Sequence, residues 1–258
     1  MSKKALLIVS FGTSYEDTRK KTIEKCEEVL QDNFKEYDFF RAYTSEIIRK
    51  KIAKRDSLFI DNASGALQKI YDLGYEEVLI QSLHIICGEE YYKLKGQIKP
   101  FEDKFKKLTL GRPLLTTIDD YKAAVAATLT GLPSLLEDEA VVLMGHGTYH
   151  ESFPAYCALE YMFQDLGAKV YIGTVEGYPE LDEVLTKLKA DKITKVYLAP
   201  FMLVAGDHAI NDMAGDEEDS WKVILKENGI STEILLQGLG ENVEIQQLFV
   251  GHALDAAK

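Results

Sequence analysis

The sequence predicts an α/β protein built of two similar parallel-sheet halves that flank a cleft. Apolar, β-rich runs alternate with longer amphipathic stretches along the chain. The runs are almost continuously apolar, which suits strands covered by helices on both faces. Motifs of the first half also recur in the second half in the same order.

The first run, K-A-L-L-I-V-S (4–10), reads as a core strand, and Y-E-D-T-R-K-K-T-I-E-K-C-E-E-V-L (15–30) follows it with helical spacing. Y-D-F-F-R-A-Y (37–43) and E-V-L-I-Q-S-L (77–83) complete the strands of the first half. The second half offers A-V-V-L-M-G (140–145), K-V-Y-I-G-T (169–174), K-V-Y-L-A-P-F-M (195–202) and S-T-E-I-L-L (231–236). A helix over P-E-L-D-E-V-L-T-K-L-K opens on Pro179 with acids in its first turn, a favourable helix start. The division falls between 1–135, carrying Glu90 and a basic insertion, and 136–258, carrying the candidate metal-binding histidines His146 and His208. Ligands of such sheets bind beyond the carboxyl ends of the strands.

The 258 residues are 46% hydrophobic and 28% charged, a composition able to bury a core. The apolar start is too short for a secretory signal and lacks its small-residue cleavage pattern, and no segment approaches membrane-spanning length. The expected address is the cytoplasm. A net charge of −12 argues against nucleic acid or an anionic membrane as partner. Cys26, Cys87 and Cys157 form no CxxC pair, so buried free thiols are expected instead of disulfides or a thiolate zinc site. No phosphate loop or nucleophile elbow is present, and G-L-G-E-N-V (238–243) is too degenerate for a dinucleotide site. No ATP or organic cofactor is therefore expected. Homo-oligomer formation is left open.

The repeat makes the chemistry-bearing residues visible. V-S-F-G-T-S (9–14) lies over M-G-H-G-T-Y (144–149), and E-V-L-I-Q-S-L-H-I-I-C-G-E-E (77–90) over K-V-Y-L-A-P-F-M-L-V-A-G-D-H (195–208). His146 then overlies Phe11, and His208 overlies Glu90. One histidine between two glycines is more often a capping or hydrogen-bonding residue. Two imidazoles from different strand ends, with acids nearby, make a borderline-metal site. Glu176, in G-T-V-E-G-Y-P-E (173–180), is expected in a carboxyl-end loop as a third member. Such donors suit cobalt, nickel, iron or zinc without selecting one. The two matches are offset differently, so the first half carries extra sequence, placed here at E-I-I-R-K-K-I-A-K-R-D-S-L-F-I-D (46–61). Its Arg49, Lys50, Lys51, Lys54 and Arg55 are either a solvated helix face or a surface for carboxylates. Arg55 is the expected substrate contact, because arginine can grip a carboxylate bidentately.

A-L-L-I-V-S-F-G-T-S-Y, I-Q-S-L-H-I-I-C-G-E-E-Y, V-V-L-M-G-H-G, V-E-G-Y-P-E and M-L-V-A-G-D-H-A-I-N-D-M-A-G-D-E-E-D-S-W-K together resemble the anaerobic-type cobalt chelatases of cobalamin synthesis, the CbiK type. The resemblance spans nearly the whole chain and implies a ferrochelatase-like fold of two duplicated α/β halves. It implies a sirohydrochlorin cobaltochelatase, a lyase that inserts a divalent metal into sirohydrochlorin, a tetrapyrrole with eight carboxylates, or into its oxidised form. The metal is then a substrate, with cobalt expected and iron or nickel as alternatives. By the same resemblance His146, Glu176 and His208 match the metal ligands, His146 also the proton acceptor, and Glu90 an acid of the same cleft. Phe11 is assigned to ring binding from its overlay on His146. Cys87 stands where the resemblance leads one to expect asparagine. A sirohydrochlorin ferrochelatase for sirohaem and a non-catalytic tetrapyrrole or metal carrier are the competing readings.

Overall fold

The computed structural model describes residues 2–258. Two four-stranded sheets form, and every strand pair in them is parallel. The first contains β1 (Lys4–Ser10), β2 (Asp38–Tyr43), β3 (Glu77–Ser82) and β4 (Lys107–Gly111), in the order β2-β1-β3-β4. The second contains β5 (Glu139–Thr148), β6 (Val170–Gly177), β7 (Lys195–Pro200) and β8 (Ser231–Ile234), in the order β6-β5-β7-β8. The strand order of one sheet is therefore the strand order of the other, as a duplication requires.

Helices fill the crossovers of the first sheet: α1 (Glu16–Lys21) and α2 (Ile23–Asn33), α3 (Glu46–Asp56) and α4 (Ala63–Asp72), then α5 (Glu89–Ile98). After α6 (Ile118–Thr130), the second sheet is served by α7 (Pro154–Asp165), α8 (Leu181–Ala190) and α9 (Trp221–Glu227), and α10 (Val243–Ala257) ends the chain. Two helices lie between β2 and β3 but only α8 lies between β6 and β7. The surplus of the first half is thus a whole helix, and α3 is the basic run read from the sequence. Ser45 caps α3 through the Ile48 N–H, and Asn62 caps α4 through Gly65.

The chain divides into two compact units: residues up to Thr116 together with Val243–Lys258, and Thr117–Asn242. The sequence-based division at 135/136 differs at both ends of the second unit. Helix α6 belongs with the second unit, while α10 returns to pack on α2, β3 and β4 of the first. Leu7, Val9, Leu67, Ile70, Ile80 and Leu94 are fully buried in the first unit's core, and Val142, Met144, Val184, Leu188, Leu198 and Leu225 in the second's. Each such side chain contributes about 1.5–3 kcal/mol on leaving water. No described helix is long and apolar enough to cross a membrane.

Candidate functional site

His146 lies inside the carboxyl end of β5, not in a loop after it. The sequence reading ended this strand at 145, but pairing to β6 continues through Gly147–Glu176 and Thr148–Gly177. The flanking glycines have separate causes. A Cβ on Gly145 would overlap the buried Tyr156 ring of α7. One on Gly147, whose φ is +79°, would collide with the Glu176 carbonyl oxygen. The two strands thus approach more closely beside His146 than any side chain permits.

Glu176 is likewise within β6 instead of the expected loop, and its side chain is exposed. The chain beyond it folds back, because the Thr174 N–H and hydroxyl both donate to the Pro179 carbonyl, at 2.7 and 2.9 Å. This return fixes the backbone on which Glu176 sits.

His208 follows β7 and stands at the start of a π-helical turn, Ala209–Met213. Its Nδ1 is 2.5 Å from Asp212 Oδ2. A carboxylate accepts, so Nδ1 carries the hydrogen and Nε2 is the nitrogen turned to other partners, the orientation found in metal-ligating histidines. His146 Nδ1 is 3.2 Å from the Gly147 carbonyl oxygen, which orients that ring in the same sense. The two imidazoles meet edge to face, with centroids 4.9 Å apart and planes at 89°. The structure therefore joins the two histidines that the repeat placed at different strand ends. Glu176 is not drawn in with them: among the described residues no three His, Cys, Asp or Glu side chains converge as a metal-holding group. Asp212 escaped the sequence reading. Its signal was the i, i+4 spacing from His208 in D-H-A-I-N-D, which puts both on one helical face.

Phe11 and Glu90 belong to the first unit. Phe11 directly follows β1 and is 41% exposed, and its carbonyl accepts the Ser45 N–H at 3.2 Å. Glu90 lies in the first turn of α5, and its Oε1 is paired with Lys93 Nζ at 3.3 Å. Lys93 also donates to the Thr44 carbonyl at 2.8 Å. Behind this pair His84 is buried, with Nδ1 2.8 Å from Ser82 Oγ and Nε2 3.3 Å from Thr44 Oγ1. Burial pushes its pKa down to about 4; Glu90 opposes that shift and Lys93 adds to it. His84 is thus a neutral imidazole that bridges the ends of β2 and β3.

Arg55, the expected carboxylate contact, is already engaged within the chain. Its Nε and Nη2 each donate to Asp56 at 2.6 Å, and Nη2 also donates to the Ser14 carbonyl at 2.6 Å. That grip is the bidentate geometry expected for a substrate carboxylate, satisfied here by a neighbour. The cysteines are all free, but only Cys26 is buried; Cys87 and Cys157 are half-buried. Cys87 Sγ lies 3.5 Å from Thr116 Oγ1.

Among solved structures, the chain is similar to SirB from Bacillus subtilis with Fe3+, with a TM-score of 0.67 at 14% identity, covering 99% of this chain and 96% of that one. It is also similar to the sirohydrochlorin chelatase SirB from Bacillus subtilis subspecies spizizenii in complex with cobalt, with a TM-score of 0.61 at 12% identity over 99% and 95% of the two chains. At these identities the likeness concerns the fold, and it agrees with the two-sheet architecture. Among characterised sequences, the sirohydrochlorin cobaltochelatase of Salmonella typhimurium is 47% identical over 250 residues, 97% of this chain and 95% of that protein. The sirohydrochlorin cobaltochelatase CbiKC of Nitratidesulfovibrio vulgaris is 34% identical over 255 residues, 98% of this chain and 90% of that protein. The family model for cobalt chelatase (CbiK) matches residues 4–258. With a family model matched over residues 4–258 and relatives 47% and 34% identical over nearly the whole chain, the chain belongs to the CbiK family of cobalt chelatases.

Proposed function

We infer that this chain is an ATP-independent sirohydrochlorin cobaltochelatase that inserts Co2+ into sirohydrochlorin, or its oxidised form, in anaerobic cobalamin biosynthesis in the cytoplasm. The observation that carries the reading is the His146–His208 pair at the carboxyl edge of the second sheet, in a chain of this family. The metal is a substrate, and no organic cofactor takes part.

Insertion requires that the ion shed its waters and that the ring lose two pyrrolic protons. Neutral imidazoles can replace water on a borderline ion and can also accept protons, but one nitrogen cannot do both at once. The two tasks are therefore divided. His208, its Nδ1–H held by Asp212, is oriented as a ligand through Nε2. His146 shares the incoming ion and takes a pyrrolic proton once the ion has passed to the ring. Glu176, exposed and one strand over, supplies a carboxylate to the ion on arrival. Glu90 is assigned the second proton and Phe11 a face for the ring.

Anaerobic metallation of sirohydrochlorin, followed by absorbance with and without the chain, tests the reading, and competing Co2+, Fe2+ and Ni2+ report metal preference. His146→Ala and His208→Ala should each lower the rate by about 100-fold or more, within the range for groups acting in proton transfer or ligation. Both side chains are only half-buried, so the fold should survive, as circular dichroism would report. A wild-type rate in either variant removes that residue from the mechanism. Stoichiometric ring binding without faster metallation by the wild-type chain would make it a carrier.

A further inference from the structure

Five buried side-chain nitrogen or oxygen atoms lack a hydrogen-bond partner among the described residues: Ser10 Oγ, Tyr43 OH, Arg49 Nε, Gln81 Oε1 and Glu90 Oε2. All five belong to the first unit. Ser10 and Tyr43 are the last residues of β1 and β2 and are neighbours in the strand register, and Gln81 is next to last in β3. Arg49 and Glu90 lie near the starts of α3 and α5, the helices that leave β2 and β3. An unpartnered buried polar atom costs about 1–3 kcal/mol, and native chains carry few of them. Ser10, Tyr43 and Gln81 are enclosed beneath the strand ends at 1% exposure or less, whereas Arg49 and Glu90 are half-buried, so these two stand where a polar partner from outside the chain can reach.

Only Arg49 among these brings a positive charge. Lys50, Lys51, Lys54 and Arg55 of the same helix are exposed. Lys50 is paired with Glu46 at 2.6 Å, and Arg55 grips Asp56. Arg49 instead shares a helical face with Ser45 and Ile52, both buried, so its stem follows the inward stripe of α3. The start of that helix is fastened to the strand ends by the Ser45 N–H on the Phe11 carbonyl, and the preceding Thr44 carbonyl accepts from Lys93. Arg49 and Lys93 both help hold the Glu46 carboxyl below its ordinary range, after the larger effect of Lys50. A guanidinium with a shielded, unpaired N–H beside a second cation, in a chain of net charge −12, fits a carboxylate delivered by a ligand.

We propose that Arg49, and not Arg55, is the residue of the basic helix that binds a carboxylate of the tetrapyrrole. This assignment rests on the functional reading above, which supplies a polycarboxylate ring as the ligand. It makes Arg49 a specificity-determining residue: it acts on the ring's rim and leaves the metal step to other groups.

The test compares the full chain with Arg49→Gln, Arg49→Lys, Arg55→Gln and Lys54→Gln. Binding of metal-free sirohydrochlorin is measured by titration, independently of turnover, alongside KM for ring and for Co2+ and kcat. Arg49→Gln is expected to weaken ring binding by about 10-fold or more, and to raise the ring KM in step, as loss of one charge-assisted contact implies. The Co2+ KM and kcat should stay within about twofold, and Arg49→Lys should recover only part of the loss. Arg55→Gln should leave ring affinity within about twofold, as should Lys54→Gln, which removes the same charge from the exposed face. If Arg49→Gln fails to fold, Arg49→Lys carries the comparison. Wild-type ring affinity in the folded Arg49 variants overturns the proposal, and water is then the partner of that N–H. A larger effect at Arg55 or Lys54 overturns it also. A wild-type chain that binds the ring without metallating it sinks the enzymatic reading alone, whereas one that does neither sinks both.

Discussion

His84 is the histidine whose burial lowers its pKa, to about 4, and so ties stability to mildly acidic pH. In the sequence it stands within I-Q-S-L-H-I-I-C-G-E-E-Y, where nothing in a lone histidine after a strand reveals how deeply it is enclosed. Its pKa in the folded chain, about 4, lies below the roughly 6.5 of an unfolded histidine. Between those values the unfolded chain binds a proton that the folded chain refuses, so acid favours unfolding. The contribution is fully present above about pH 6.5 and is lost as pH falls toward 4. His84→Gln keeps a hydrogen-bonding side chain that does not titrate. Urea denaturation from pH 7 to pH 4.5 should therefore show the wild-type chain losing stability faster than the variant. Parallel curves would mean that His84 is protonated without penalty. Asp212 makes the complementary point: its spacing from His208 was legible, but its carboxylate became meaningful only when the π-helical turn brought it to Nδ1.

At the scale of elements, β5 carries His146 alongside β6, and the closeness of these two strands depends on Gly147. An alanine there would have to adopt a positive φ and clear both Glu176 and Thr174. Gly147→Ala should cost roughly 2–4 kcal/mol, combining left-handed strain with overpacking. Calorimetry should show this as a fall in Tm of several degrees, while Gly167→Ala, where a Cβ meets nothing within 4 Å, loses only its conformational part. Equal losses at the two glycines would refute the steric account. Central strands were legible because two covered faces demand continuous apolar runs. Edge strand β4, K-L-T-L-G, was missed: it pairs only with β3, keeps half-exposed residues and shows no such run. Edge strand β8 stops at Ile234, short of the anticipated 236, for the same lack of a second neighbour. β5 and β6 were read too short because glycine normally ends a strand, whereas here glycines at positive φ stay in register. The histidine pair was legible through the repeat. Arg55 shows what a motif leaves out, since it fixes where the backbone goes and not that the side chain grips Asp56 and the Ser14 carbonyl.

At the scale of the whole molecule, the duplication is visible in the matched strand orders, yet the two units are not two consecutive lengths of chain. Helix α10 closes the first unit from the far end of the sequence. It buries Ile245, Phe249, Val250 and Ala253 against that unit, and His252 Nδ1 reaches the Arg112 carbonyl at 3.2 Å. Arg112 in turn pairs with Asp255 at 2.9 Å. Three large apolar side chains at about 1.5–3 kcal/mol each amount to much of the 5–15 kcal/mol that typically separates folded from unfolded domains. No sequence pattern announces this, because an amphipathic helix states that it needs a partner and not which one. Removing residues 243–258 should therefore unfold the first unit selectively. Limited proteolysis of residues 1–242, read by mass spectrometry, should place early cuts between 4 and 116 and leave 117–242 as the resistant fragment. Thermal unfolding should lose the part of its amplitude that belongs to the first unit. Phe11 and Arg49, the residues proposed to hold the ring, stand in that unit, so on that proposal ring binding should vanish with it, while the His146–His208 pair remains on a folded sheet. A truncated chain that melts with the wild-type midpoint and resists cleavage throughout would show that the first unit holds its core without α10.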